Sequence, residues 1–345
     1  MRVVIADPPA YTPWYDHELA SALARLGVEV ELATSRFRFA DLPPADGYLR
    51  TERFYPLSSR LFRRSRARLP LRATEHLGVA ASLARIQADV LHLQWLALPQ
   101  VDVHVPFRCP SVFTAHDLLP RRTAEKLDLW KRLLSRFDRV VVHTDKGREA
   151  LRDLGFEPTV ISHPVYPSAA VSSDDGATIL ALGVIRPYKG LADAVEVVRR
   201  LEGSRLLVAG DPSMPLGELQ DAPRTEWRLG YLTPVELDRA LSDTTIAIFP
   251  YNAELDQSGA LLQALGAGVP AVAYDVGGLA EPIARYGAGR VVPAGDIEAL
   301  TEATRDLLDD PDALRAARAG AERARSELTW DAAAERHLEL YRELG

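Results

Sequence analysis

The sequence predicts an α/β protein built from two doubly wound domains. Short, β-branched apolar runs alternate with amphipathic helical stretches along almost the whole chain, and they fall into two series. A small polar segment, SAAVSSDDGA at residues 168–177, separates the series and reads as a linker. Continuous apolar strands divided by helices imply parallel sheets covered on both faces.

The first series opens with RVVIAD (2–7) as a buried strand, a helix over 15–26, and VEVELAT (28–34) as the next strand. It continues with ADVLHLQW (88–95), SVFTAHD (111–117) and RVVVHT (139–144). The second series runs TILALGVI (178–185), SRLLVAG (204–210), TIAIFPY (245–251) and AVAYDV (271–276), with helices over 190–201 and 260–267. The domains are expected at residues 1–168 and 169–328, with 329–345 as a separate C-terminal helix.

Composition narrows the function. Apolar content of 47% and charged content of 26% are ordinary for a soluble globular chain. The formal net charge of −7 argues against a general nucleic-acid binder, which needs a basic face. Cys109 is the single cysteine, so neither a disulfide framework nor a cysteine metal site arises within one chain. No apolar run is long enough to span a membrane, and the first residues do not read as a signal peptide, so the expected location is the cytoplasm.

Ligands of doubly wound sheets bind beyond the carboxyl ends of the strands, which directs attention to the loops there. The loop after the first strand, from Asp7 to Asp16, lacks G-x-G-x-x-G and so speaks against a dinucleotide-dependent oxidoreductase. His116 follows the 111–117 run, either as a site residue or as a histidine satisfied by its neighbours. GVIRPYKG (183–190) brings Arg186 and Lys189 to the start of a helix. Cations oppose the helix dipole there, whereas a bound phosphate would reverse the penalty, so the pair reads as a diphosphate clamp. Only four lysines stand among 41 basic residues, which makes a lysine at 189 conspicuous. Ser258 and Gly259 open a second helix, either as an anion-ready terminus or as a plain serine cap. Asp310-Pro-Asp312 reads as a helix cap and not a metal motif.

The ordered set ADVLHLQWL, VFTAHD, VVVHT, ISHP, LGVIRPYKG, FPY, QSGALLQALGAGVPAVAYDVGGLAE and GRVVPAGD resembles the GT-B glycosyltransferases, and within them glycosyltransferase family 4. That resemblance implies two Rossmann-like domains facing across a cleft, with a helix over 330–344 crossing back to the N-terminal one. It implies retaining, metal-independent transfer of a sugar from a nucleotide-diphosphate donor to a hydroxyl on a sugar, natural product or lipid-linked acceptor. No resident cofactor is implied, since the nucleotide sugar is a co-substrate. His116, Arg186 and Lys189 match the catalytic positions. Gly183, Arg228, Leu229, Glu254, Asp256, Gln257, Ser258, Gly259, Ala260 and Gln263 match the donor side. Tyr11, Trp14, Tyr15 and Asp16 fall on the acceptor side.

The chain departs from the family pattern at one place. Many family 4 enzymes carry two glutamates eight positions apart, and here those positions hold Leu255 and Gln263. The DQSG fragment resembles a variant branch of the family. Glutamine still accepts and donates hydrogen bonds but carries no charge. A nucleotide-sugar epimerase and a non-catalytic sugar-nucleotide binder with the same fold are the alternative readings.

Eight arginines lie between Arg50 and Arg72, with Glu52 as the only acid among them. Contact with an anionic membrane at the inner face, or with a phosphorylated acceptor, is one reading; a solvated loop is the other.

Overall fold

The computed structural model describes residues 1–61, 68–118, 127–252 and 257–345. The chain divides into two compact units, Met1–Ser162 with Trp330–Gly345, and His163–Thr329.

The first unit holds a seven-stranded parallel sheet. Its strands are β1 (Arg2–Asp7), β2 (Glu29–Thr34), β3 (Leu49–Glu52), β4 (Val90–Leu93), β5 (Ser111–Thr114), β6 (Arg139–Val142) and β7 (Thr159–Val160), in the order β3-β2-β1-β4-β5-β6-β7. β4 and β5 are buried at every position, as a central strand covered on both faces must be. The helix Pro13–Arg25 follows β1, with Pro13 at a position where its missing N–H costs nothing.

The C-terminal helix Trp330–Arg342 packs on that helix within the same unit. Trp330 meets Tyr15 edge-on at 5.1 Å, and Arg25 pairs with Asp331 at 2.5 Å. The Tyr341 hydroxyl lies 2.6 Å from Nδ1 of His92 on β4, so the helix is also bonded to the centre of the sheet. This agrees with the expected return of the C-terminus.

The second unit holds a six-stranded parallel sheet, β8 (Thr178–Leu182), β9 (Arg205–Gly210), β10 (Thr225–Leu229), β11 (Ile246–Phe249), β12 (Ala271–Tyr274) and β13 (Gly289–Val292). Their order is β10-β9-β8-β11-β12-β13. Side chains alternate between two apolar layers: Leu180, Leu207, Ala247 and Phe249 enter one, Ile179, Leu206, Val208, Ile246 and Ile248 the other. Each such fully buried aliphatic side chain contributes about 1.5–3 kcal/mol of transfer free energy, which is why both faces are covered by helices. Val165 belongs to this unit's core, and its N–H donates to Leu328 O at 2.9 Å. Asp310 caps the helix Pro311–Glu327, accepting from the N–H groups of Asp312 and Ala313, as its spacing predicts.

Candidate active site

In each sheet the strand order reverses at one point, between β1 and β4 in the first unit and between β8 and β11 in the second. Connections leave to opposite sides there, opening a crevice beyond the carboxyl ends. Tyr11 to Asp16 follow β1, and Lys189 and Ser258 lie beyond β8 and β11, at these two points; His116 stands one strand away, beyond β5, and Arg228 and Leu229 are on the edge strand β10.

In the first unit, β1 ends at Asp7. Its Oδ2 accepts the Thr12 N–H at 3.0 Å, drawing the loop back over the strand end. Asp16, on the first turn of the following helix, is hydrogen-bonded to the same carboxyl group, and neither residue is exposed. Burial raises Asp7 to about 6; burial and then the charge of Asp7 hold Asp16 well above the usual carboxylate range. Two adjacent buried carboxyls resist ionising together, so the pair holds a proton to well above the usual carboxylate range.

Thr12 links this pair to the next strand end. Its Oγ accepts from Trp95 Nε1 at 2.9 Å, and Trp95 stacks on His116 with centroids 5.4 Å apart and planes 14° apart. Tyr11 meets Trp95 edge-on at 5.4 Å, and Tyr15 meets His116 edge-on at 4.8 Å. His116 lies just beyond β5, with Nε2 2.9 Å from Gln94 Oε1 and Nδ1 3.1 Å from Nε2 of His143, which follows β6. Among the expected acceptor-side residues, Tyr11 is 49% exposed and Trp14 half-buried, while Tyr15 and Asp16 lie buried beneath them. Those two shape the surface from below.

In the second unit, β8 ends at Leu182, and Gly183 turns the chain with φ 94°. Arg186 is exposed; a single 3-10 turn, Pro187–Lys189, separates it from the helix Leu191–Arg200. The turn folds Lys189 back over the strand end, so Nζ donates to Leu182 O at 3.2 Å and lies 5.1 Å from the Tyr251 ring centre. A Cβ on residue 183 would come within 2.9 Å of Nζ, so the ammonium occupies space that glycine leaves. By exposed area Lys189 is half-buried, with its ammonium held against Leu182 O and the Tyr251 ring. Burial lowers its pKa to about 8, with Arg186 adding to the effect.

Opposite, at the end of β11, the helix Gly259–Gly266 begins. Ser258 caps it, accepting from Leu261 N, and its hydroxyl also lies 3.3 Å from that of Tyr251. The Ser258 N–H is taken by the Gln257 side chain at 2.8 Å, so a ligand using that donor would displace the glutamine. Ala260 is buried and Gln263 half-buried on this helix. The Arg228 side chain is engaged through Nε by Glu226 at 2.7 Å and through Nη2 by Asp243 at 2.8 Å, while its buried Nη1 has no hydrogen-bond partner among the described residues; Leu229 beside it, at the end of β10, is exposed. Glu254 and Asp256 lie outside the described residues.

Comparison with known proteins decides the family. Residues 15–168 match the family model described as Glycosyltransferase Family 4, and residues 176–310 match the one described as Glycosyl transferases group 1. The chain belongs to glycosyltransferase family 4. This family 4 chain is 30% identical to glycogen synthase of Mycobacterium tuberculosis, over 54% of its own length and 48% of the synthase, so it spans about half of that relative. It is 29% identical to D-inositol 3-phosphate glycosyltransferase of Thermobispora bispora, over 95% of its length and 89% of the relative. Among solved structures it resembles sucrose-phosphate synthase of Thermosynechococcus elongatus, with TM-score 0.76, 20% identity, and coverage of 100% and 99%. The Anabaena protein HepE, solved with UDP and glucose, gives TM-score 0.71 at 14% identity with both chains fully covered. These likenesses establish the GT-B fold.

Gln94, Trp95 and His143 stand beside His116 but were not singled out from the sequence. The signal lay in the strand-end rule, since all three immediately follow β4 or β6. Of the arginine-rich segment, Arg50 donates to Pro43 O at 2.8 Å, Arg53 pairs with Glu31 at 3.2 Å, and Arg72 donates to Pro9 O at 3.1 Å while covering the Tyr55 ring. These three take part in the fold; Arg63, Arg64 and Arg66 lie outside the described residues. No helix among the described residues is long and apolar enough to cross a membrane.

Proposed function

We propose that this chain is a retaining, metal-independent glycosyltransferase that moves a hexose from a nucleotide-diphosphate donor to a hydroxyl acceptor. The observation that carries the reading is Lys189, a half-buried ammonium whose contacts among the described residues include a carbonyl and an aromatic face. Such a charge is poorly compensated until an anion arrives. A diphosphate at the start of the helix Leu191–Arg200 would supply one, with Arg186 as a second, exposed cation.

During transfer the bond from the anomeric carbon to the diphosphate oxygen breaks and a bond to the acceptor oxygen forms; the acceptor's proton leaves with the diphosphate. Negative charge grows on the leaving oxygen, so cations already in place stabilise the transition state more than the ground state. His116 is assigned to the reacting sugar, and the aromatic group of Tyr11, Trp14 and Trp95 to the acceptor. The names of similar proteins make UDP-glucose and GDP-mannose the first donors to try and a glycolipid the first acceptor, beside the sugar and natural-product hydroxyls proposed here.

Gln263 and Leu255 favour a second reading, a protein that binds nucleotide sugars without turning them over. Incubation with a panel of UDP-, GDP- and ADP-sugars and mixed acceptors separates the two. Acceptor-dependent release of nucleoside diphosphate, with the anomeric configuration kept in the product, is expected. Conversion of the donor's sugar without acceptor would indicate an epimerase; binding with no release would indicate the non-catalytic protein.

A further inference from the structure

Ile161, His143 and His116 form a line of hydrogen bonds whose directions follow from the Ile161 end, and Gln94 stands beyond it. A carbonyl oxygen only accepts, so His143 Nδ1, 3.0 Å from Ile161 O, carries a proton. His143 is 3% exposed, and burial lowers its pKa to about 4, which keeps the ring neutral. Its Nε2 is then a lone pair. What faces that lone pair at 3.1 Å is His116 Nδ1, which must be the donor. Trp95, stacked at 5.4 Å, and Tyr15, edge-on at 4.8 Å, hold the His116 ring in the orientation this bond needs.

We propose that His143 is a positioning residue that keeps the proton of neutral His116 on Nδ1, leaving Nε2 as the nitrogen that gives or takes a proton. Gln94 complements this arrangement. Its Oε1 lies 2.9 Å from His116 Nε2 while its Nε2 lies 3.3 Å from His92 Nε2, so as it stands the amide accepts from a protonated His116 Nε2, and turned end for end it donates to the bare nitrogen of the neutral ring. The hydrogen bond at one imidazole nitrogen thus decides the chemistry available at the other. The catalytic consequence rests on the transferase reading above; the position of the proton is a property of the first unit alone.

Long-range proton–nitrogen correlation NMR on the full chain, labelled with ¹⁵N-histidine, reads the tautomer directly. His116 is assigned through its loss in His116→Gln. The expected result in the unaltered protein is His116 with its proton on Nδ1; a proton on Nε2 overturns the proposal without any variant being needed. In His143→Leu the Nδ1 preference should be lost, and in His143→Gln, whose amide oxygen can accept the bond, it should return. Retention of the Nδ1 tautomer in a folded His143→Leu protein would also overturn it. In the transfer assay, His143→Leu should lower kcat about 10²-fold, the loss that misplacing a group beside the reacting sugar can bring, with donor KM little changed. A KM effect alone would contradict the positioning role. Absence of transfer with every donor would refute the transferase reading and leave the tautomer result standing.

Discussion

Lys189 donates from Nζ to the carbonyl oxygen of Leu182 at 3.2 Å, closing the loop after β8 onto its own strand end. The bond satisfies one of the ammonium's three N–H groups and neutralises none of its charge. It places a cation in a protein environment ahead of any ligand.

Lys189 should therefore cost stability in the free protein. Its pKa is lowered in the folded state, so the contribution is favourable only above the unfolded value, near 10.4, and is lost as pH falls through about 8. At pH 7 the folded protein holds an unfavourable charge. Lys189→Met should raise the stability of the ligand-free chain by about 1–2 kcal/mol at pH 7, after discounting for partial exposure of the side chain, and the gain should vanish above pH 10. Chemical denaturation at the two pH values checks this.

The carboxyl pair Asp7–Asp16 has the opposite sign. Both pKa values are raised on folding, so the stabilisation is complete below the unfolded range near 3.9 and is lost as pH rises through about 6. Asp16→Asn replaces the proton-dependent partner with a permanent amide donor. Between pH 5 and pH 8 the unaltered protein should lose about 1–3 kcal/mol relative to this variant. Parallel stability curves would refute the shared proton.

Gly190 marks a second constraint on the same loop as Lys189. Its φ of 64° is left-handed, and a Cβ there would stand 1.9 Å from the carbonyl oxygen of Pro250. That oxygen belongs to the backbone and cannot turn aside. Gly190→Ala should destabilise the second unit by about 3 kcal/mol or more, through strain and clash together, and shift the loop carrying Lys189. Thermal unfolding, and the loss of nucleotide binding at a temperature where the variant is still folded, test both parts.

The sequence displayed the central strands best, because β1, β4, β5, β8, β9, β11 and β12 are buried on both faces and read as unbroken apolar runs. It did not display β3, β10 or β13. LRTE and TEWRL carry polar residues at partly exposed positions, and GRVV is short and opens with glycine. The sequence run overshoots β5 by three residues, because Ala115 and His116 follow with no turn residue, and overshoots β11 by two, although Pro250 already closes that strand. The basic pair of Arg186 and Lys189 was legible because charge at a helix start is unusual. The 3-10 turn that sends Arg186 outward and Lys189 inward was not, because PYK has no periodicity to read. His143 was hidden for a different reason: a histidine ending an apolar strand gives no sign of which ring nitrogen is bonded, and only the carbonyl of Ile161 supplies it.

On the proposed function, a nucleoside diphosphate completes the site around Lys189. Calorimetric titration of UDP, GDP and ADP into the unaltered protein and into Lys189→Met tests it most directly. At least one of the three should bind the unaltered protein, with net proton uptake near pH 9 as the ammonium regains its charge, and Lys189→Met should weaken it about 100-fold, the ~2.7 kcal/mol expected for losing a charge-assisted bond to an anion. Equal affinity for both proteins, or no binding of any of the three by the unaltered one, would contradict it.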